Sequence, residues 1–191
     1  MYKLCKTEQS AARQRELEQG LLEAMSAGRY EEISVSDLCE HIGVPRKSFY
    51  RYFSGKDGAL HALIDHTLLE FENFQWPYSQ KDRFSCQTEL ERFFRFWKEK
   101  KPLLDALSRS GLSGVLIERS LDQALDDAGV SRKFMSQHEP ELRGHATMFG
   151  VCGLMSLVVA WHHDGYPHTP KQMAQIAVKL VTEPLFLEAN S

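Results

Sequence analysis

Residues 33 to 58, ISVSDLCEHIGVPRKSFYRYFSGKDG, constrain this chain more than any other stretch. Ser34 is a natural helix N-cap, and Asp37 three residues later predicts a capping box. Val35, Leu38, Cys39 and Ile42 then fall on one helical face, and Gly43 makes the turn. A second helix is expected from about Arg46 to Phe53. Phe49 and Phe53 lie four apart, so both point inward and fix the helix on its neighbours. From Val44 to Lys56 there are four basic residues (Arg46, Lys47, Arg51 and Lys56) and no acid. Two short helices about a tight glycine turn, the second carrying only positive charge, are how a chain offers a helix to the major groove of DNA. Arg46, Lys47 and Ser48 stand at the end that approaches base edges. Tyr50, Arg51, Tyr52 and Lys56 are placed for phosphates, and Ser34 offers a hydroxyl and helix N-terminal N–H groups to another.

The whole chain does not carry this charge. Its 191 residues have a net charge of −3 and a composition of 42% apolar and 26% charged residues, that of a soluble globular protein. For binding to nucleic acid the local basic face matters more than the total. Four cysteines, Cys5, Cys39, Cys86 and Cys152, lie far apart with no C-x-x-C pair, which argues against a zinc ribbon or redox motif and for a reducing, cytoplasmic setting. Cys39 and Cys152 sit in apolar helical patterns and read as buried thiols. Charges within the first six residues argue against a signal peptide. The longest uncharged run, Ala146 to Trp161, is short for a membrane span, which needs about 20 residues, and reads as a helix buried in protein on most sides.

Proline, glycine and hydrophobic period predict an all-α chain of nine helices. The first runs from about Glu8 to Ala27 and the second from Val35 to Ile42. The third is the basic helix, and the fourth starts near Lys56 and runs to about Gln75, stopped by Trp76-Pro77. A polar patch from Tyr78 to Arg83 follows. The fifth spans about Cys86 to Lys100, Pro102 opens the sixth, and the seventh runs from Ser113 to about Ala128, ended by Gly129. The eighth extends from Pro140 to His163, and Thr169-Pro170 starts the ninth. The division expected is 1–55 for a homeodomain-like helix-turn-helix head and 56–191 for a C-terminal helical bundle, with the fourth helix shared.

The order of capping residue, Gly-Val turn, basic residues, Phe-Tyr-x-Tyr-Phe and Lys-Asp resembles the DNA-binding domain of the TetR family of transcriptional regulators over about Gln9 to Leu69. The matching residues are Val35, Asp37, Leu38, Gly43, Val44, Phe49, Tyr50, Phe53, Lys56, Asp57 and Leu60. The resemblance implies phosphate contacts at Tyr50 and Lys56 and base-proximal roles for Arg46, Lys47 and Ser48. Pro45 stands where the family usually caps the recognition helix with Ser or Thr, a loss of about 1 kcal/mol. Cys39 and Ile42 replace small alanines, Tyr52 replaces a histidine, and Gly58 sits in the first turn of the fourth helix.

The remainder follows the family in pattern alone. The resemblance implies a ligand-binding and dimerisation domain with the last two helices packed across a two-fold axis, and hence a homodimeric, ligand-responsive repressor of a palindromic operator in double-stranded DNA. Gly150, Gly153, Leu157, Trp161, Met173, Ile176 and Leu180 are the interface candidates, because small residues along a long helix permit close approach. A dimer also follows from the reading of DNA, since one small helix contacts too few base pairs for genomic specificity. Phe71, Phe74, Phe93, Phe94 and Trp97, with Met148 and Cys152, are candidates to line a pocket for a small apolar effector between the fourth, fifth and eighth helices. Trp76 and Phe96 belong to the same aromatic set. A helical interaction protein, a co-activator whose head binds a protein rather than an operator, is the alternative.

Other chemistry is poorly supported. His162 and His163 point about 100° apart on a helix and do not readily share an ion, and His145 and His168 add no ligand spacing. Ser110-Gly-Leu-Ser-Gly114 has the look of a nucleophile motif but no strand before it. No cofactor, metal, membrane association or enzyme activity is expected.

Overall fold

A computed structural model describes residues 1–74, 85–126 and 140–183. Nine α-helices lie within them: α1 Glu8–Ala27, α2 Val35–Ile42, α3 Arg46–Tyr52, α4 Lys56–Asn73, α5 Cys86–Glu99, α6 Lys101–Arg109, α7 Ser113–Asp126, α8 Pro140–His163 and α9 Pro170–Thr182. A short 3-10 turn, Tyr30–Glu32, joins α1 to α2 and has no counterpart in the sequence reading. The described residues form no strand beyond an isolated antiparallel bridge between Tyr2 and Phe53. Trp76-Pro77, the Tyr78 to Arg83 patch and the Ala128-Gly129 stop lie outside the described residues.

Helix starts follow local chemistry. Thr7 caps α1 by accepting from Ser10 N at 3.2 Å. Thr169 and Gln172 form a reciprocal capping box at the start of α9, with Pro170 at its first position. At α2 the expected box is only half made. Ser34 Oγ accepts from Asp37 N at 3.1 Å, but the Asp37 carboxylate takes the Ser34 hydroxyl hydrogen at 2.6 Å instead of the Ser34 backbone N–H. Aspartate is one methylene shorter than the glutamate that usually completes such a box.

The head packs α1, α2 and α3 around Leu17, Leu21, Met25, Leu38, Phe49 and Phe53, all essentially inaccessible. Gly43 ends α2 in the left-handed region at φ 72°, which glycine adopts without steric cost. Ile42 fits because α1 presents Gly20 opposite it. A Cβ at Gly20 would stand 2.4 Å from the Ile42 side chain. The larger residue in α2 is thus matched by a missing side chain in α1.

Two helices, α4 and α6, hold the head through α1. α4 packs on both α1 and α7, and α6 packs on α1. Arg109, near the end of α6, donates to Met25 O and Ser26 O, each at 2.8 Å, placing a cation on the carbonyl end of α1. Beyond the head, α9 packs along α5 and α8 along α7.

α8 departs from expectation. Thr147, Met155, Val158 and Trp161 make its buried edge, but Leu142, Met148 and Phe149 are exposed, so the chain alone does not enclose it. Among the described residues α8 is the one helix long and apolar enough to cross a membrane, judged by length and composition. Cys152, expected as a buried thiol, is half-buried, whereas Cys39 is buried.

Candidate nucleic-acid interface

α3 has seven residues, too few to be stable alone, and tertiary packing holds it. Phe49 and Phe53 supply that packing, with ring centroids 5.1 Å apart. Pro45 occupies the N-cap and makes no side-chain cap, but Ser48 N donates to Pro45 O at 2.8 Å and closes the first turn. With the Phe49 and Phe53 face inward, Arg46, Lys47 and Arg51 are exposed and Ser48 is half-buried. Tyr50 is 46% exposed and its ring meets the edge of Phe49 at 5.7 Å. The structure therefore brings five of the predicted residues onto one open surface.

Three other candidates are placed differently. Tyr52 is only 7% exposed and packs against Phe53, so its ring belongs to the core rather than to an outer surface. Lys56 is turned inward. Its ammonium donates to Tyr30 O and Ile33 O, the latter at 2.7 Å, and lies 4.2 Å from the centre of the Tyr30 ring. An ammonium has three donors, and with a longer contact to Glu31 O at 3.5 Å all three are directed at carbonyls of the α1–α2 connection. Ser34 is exposed, but its hydroxyl hydrogen is already given to Asp37. A phosphate near α2 would meet backbone N–H groups, not this hydroxyl.

The polar contacts that carry α4 were not evident from the sequence. Arg119 of α7 grips Asp65 of α4 through two hydrogen bonds, Nε to Oδ1 at 2.8 Å and Nη2 to Oδ2 at 2.6 Å. Tyr2 donates to the same carboxylate at 2.8 Å, and burial, then this hydrogen bond, push its phenol up to about 12. Beside it, His66 Nδ1 sits 2.8 Å from the buried Glu18 carboxylate of α1. The only sequence signal was Arg119 itself, a lone base in the acidic run from Glu118 to Asp127.

The aromatic candidates pack into one cluster that leaves several of them no room for a ligand. Phe71 meets Phe93 at 5.7 Å and Phe96 at 5.3 Å, and Phe74 meets Phe96 at 5.4 Å. Phe94 stacks edge-on to Trp161 at 5.7 Å. Phe94, Phe96 and Trp97 are inaccessible to solvent, so they line no open cavity. Met148 is exposed. Phe71, Phe74 and Phe93 keep some accessible surface at the α4–α5 seam, where Arg92 Nη1 donates to Phe71 O at 2.8 Å and Phe74 O at 3.2 Å.

Two of the proposed interface residues are used up inside the chain. Trp161 is 3% exposed, locked between Phe94 and Tyr166, with its indole N–H on His168 O at 3.0 Å. Met173 is 4% exposed and lies on the inner face of α9. Gly150, Leu157 and Ile176 are half-buried, and Gly153 and Leu180 are exposed. No group of three or more His, Cys, Asp or Glu side chains is disposed for a metal ion among the described residues.

Residues 21–63 match the family model described as bacterial regulatory proteins, tetR family. No curated protein matches the chain in sequence. Several solved structures share its fold. The fatty acid degradation regulator FadR from Bacillus halodurans aligns at a TM-score of 0.59 and 15% identity, over 95% of this chain and 98% of that one. The dihydroxyacetone kinase operon activator DhaS aligns at 0.56 and 17%, over 88% and 93%. A tetR-family transcriptional regulator from Streptomyces coelicolor aligns at 0.55 and 19%, over 86% and 78%.

Proposed function

The chain is a TetR-family protein, and from that premise we propose that it is a cytoplasmic, ligand-responsive repressor that binds a palindromic operator as a homodimer. The observation that carries the reading is α3 itself: Arg46, Lys47, Tyr50 and Arg51 stand open on a helix whose opposite face is sealed by Phe49 and Phe53. Such a helix is rigid enough to hold register in a groove and offers it three cations and a hydroxyl, with no carboxylate.

The dimer reading rests on α8. Phe149 is 65% exposed, and Gly153, Ser156 and Ala160 continue along the same uncovered side at helical spacing. Leu180 and Val181 of α9 are also exposed. An apolar helix edge of this kind needs a cover, and a second copy across a two-fold axis supplies an identical one. Phe149→Asp is expected to weaken self-association at least about tenfold in sedimentation velocity, since the aspartate would be buried unpaired. An unchanged dimer would remove this face from consideration.

An effector would act at the α4–α5 seam beside Phe71, Phe74 and Phe93, where Arg92 clasps the end of α4. A shift of α4 changes the separation of the two recognition helices, and half-sites about one helical turn apart do not tolerate it. The effector's leverage is its differential affinity for the two states.

A second reading is a TetR-like head that binds a protein instead of an operator; one structure of similar fold is described as an operon activator, which bears on activation alone. Footprinting on the intergenic DNA beside the chain's own gene separates the two. A salt-dependent, symmetric footprint supports the operator reading. No protection at low ionic strength, with capture of a protein partner, supports the other.

A further inference from the structure

The first six residues are fastened to the end of the recognition helix. Lys3 N donates to Tyr52 O at 2.9 Å, Ser54 N donates to Met1 O at 3.0 Å, and Tyr2 bridges Phe53. The side chains do not alternate as on a strand: the two that turn inward, Tyr2 and Cys5, are three residues apart, and Leu4 is exposed together with the lysines. Tyr2 turns inward to Asp65 and Cys5 to Gln14, leaving Lys3 and Lys6 exposed. No acid occurs among residues 1–7. Gly58 makes the seat: a Cβ there would stand 2.4 Å from Met1 O. The glycine in the first turn of α4 therefore has a steric purpose, to let this segment lie against the helix.

We propose that residues 1–6 form a second DNA-contacting element, with Lys3 and Lys6 on backbone phosphates flanking the groove that α3 enters. The proposal rests on the operator reading above. A backbone hydrogen bond to Tyr52 sets Lys3 within one strand spacing of the last residue of α3, beside the exposed Arg51. Any duplex that receives α3 presents phosphates along both walls of that groove. The segment also has the rigidity that gripping a phosphate requires, because Tyr2 is held by Asp65, and Asp65 by Arg119. Tyr2 is a positioning residue in this scheme.

The test is the salt dependence of DNA binding. Every phosphate that the protein ceases to neutralise lowers the slope of log K against log salt by about 0.9, so Lys3→Ala with Lys6→Ala removes up to about 3.6 across the four lysine–phosphate pairs of a dimer. The probe is the footprinted duplex, or a random duplex at low ionic strength if no footprint is found. Gly58→Ala is the second variant. It unseats the segment with both lysines intact, and alanine favours the helix by about 1 kcal/mol, so the fold is retained. A lowered slope in both variants, with faster hydrogen exchange at Ser54 N–H in Gly58→Ala, supports the proposal. Wild-type binding with an unchanged slope in the double lysine variant overturns it alone. Wild-type protein that shifts no duplex overturns it together with the operator reading.

Discussion

Replacing Lys47 and Tyr50 together with alanine is expected to lower operator affinity about a thousandfold and leave the protein folded. Each side chain is taken to contribute about 1 kcal/mol of contact per protomer, so a dimer loses about 4 kcal/mol, near three decades in Kd. Stability changes much less. Lys47 is exposed and makes no contact that the fold requires. Tyr50 contributes an edge contact to Phe49, worth about 1 kcal/mol. In a chain of this length that is a fall of about 2–4 °C in Tm. Electrophoretic mobility shift and a thermal melt on the same preparation decide the matter. Binding that survives means that α3 is not the reading helix. Tyr50→Phe refines the assignment, because it keeps the ring on Phe49 and removes only the hydroxyl. It should weaken binding and leave Tm in place.

The head was legible because its signals are local. A cap at Ser34, an apolar stripe from Val35 to Ile42, a turn at Gly43 and two phenylalanines four apart are all read within twenty-odd residues. Thr169-Pro170 was as plain at α9. What escaped depends on partners distant in sequence. Nothing near Tyr52 announces that it folds under α3, nor does anything near Lys56 announce that Tyr30 and Ile33 offer it carbonyls. A surface lysine and a helix-closing lysine have the same sequence neighbours. Gly58 could be seen only as an oddity, since the atom that explains it belongs to Met1. The aromatic set illustrates the opposite error. Seven clustered rings suggest a pocket, but edge-to-face contacts fill space as well as a ligand would, and Phe94, Phe96 and Trp97 are spent on each other and on Trp161.

The Arg119–Asp65 pair is the other place where a single change should have a large effect. Its carboxylate is 8% exposed and its guanidinium 27%. Arg119→Ala leaves a buried anion that still accepts from the Tyr2 hydroxyl but faces no cation from α7. Removing one partner of a buried pair costs about 3–5 kcal/mol, and the partial exposure of Arg119 points to the lower figure, since water can enter where the side chain was. About 3 kcal/mol corresponds to a Tm lower by about 6–12 °C. Asp65→Asn in the same background removes the stranded charge and should recover most of that loss, which no account based on poorer packing around Arg119 predicts. The four proteins of this cycle, melted side by side, give the coupling directly. Equal melting of Arg119→Ala and wild type would mean that α7 does not hold α4. The consequence for regulation follows from position: α4 connects the head to the remaining helices, and on the proposed operator reading half-site spacing is kept only while that helix is fixed. The arginine variant, assayed well below its Tm, should therefore bind operator less tightly, with the salt slope reduced as well, because the Asp65 that Arg119 steadies also seats Tyr2 and the lysines beside it.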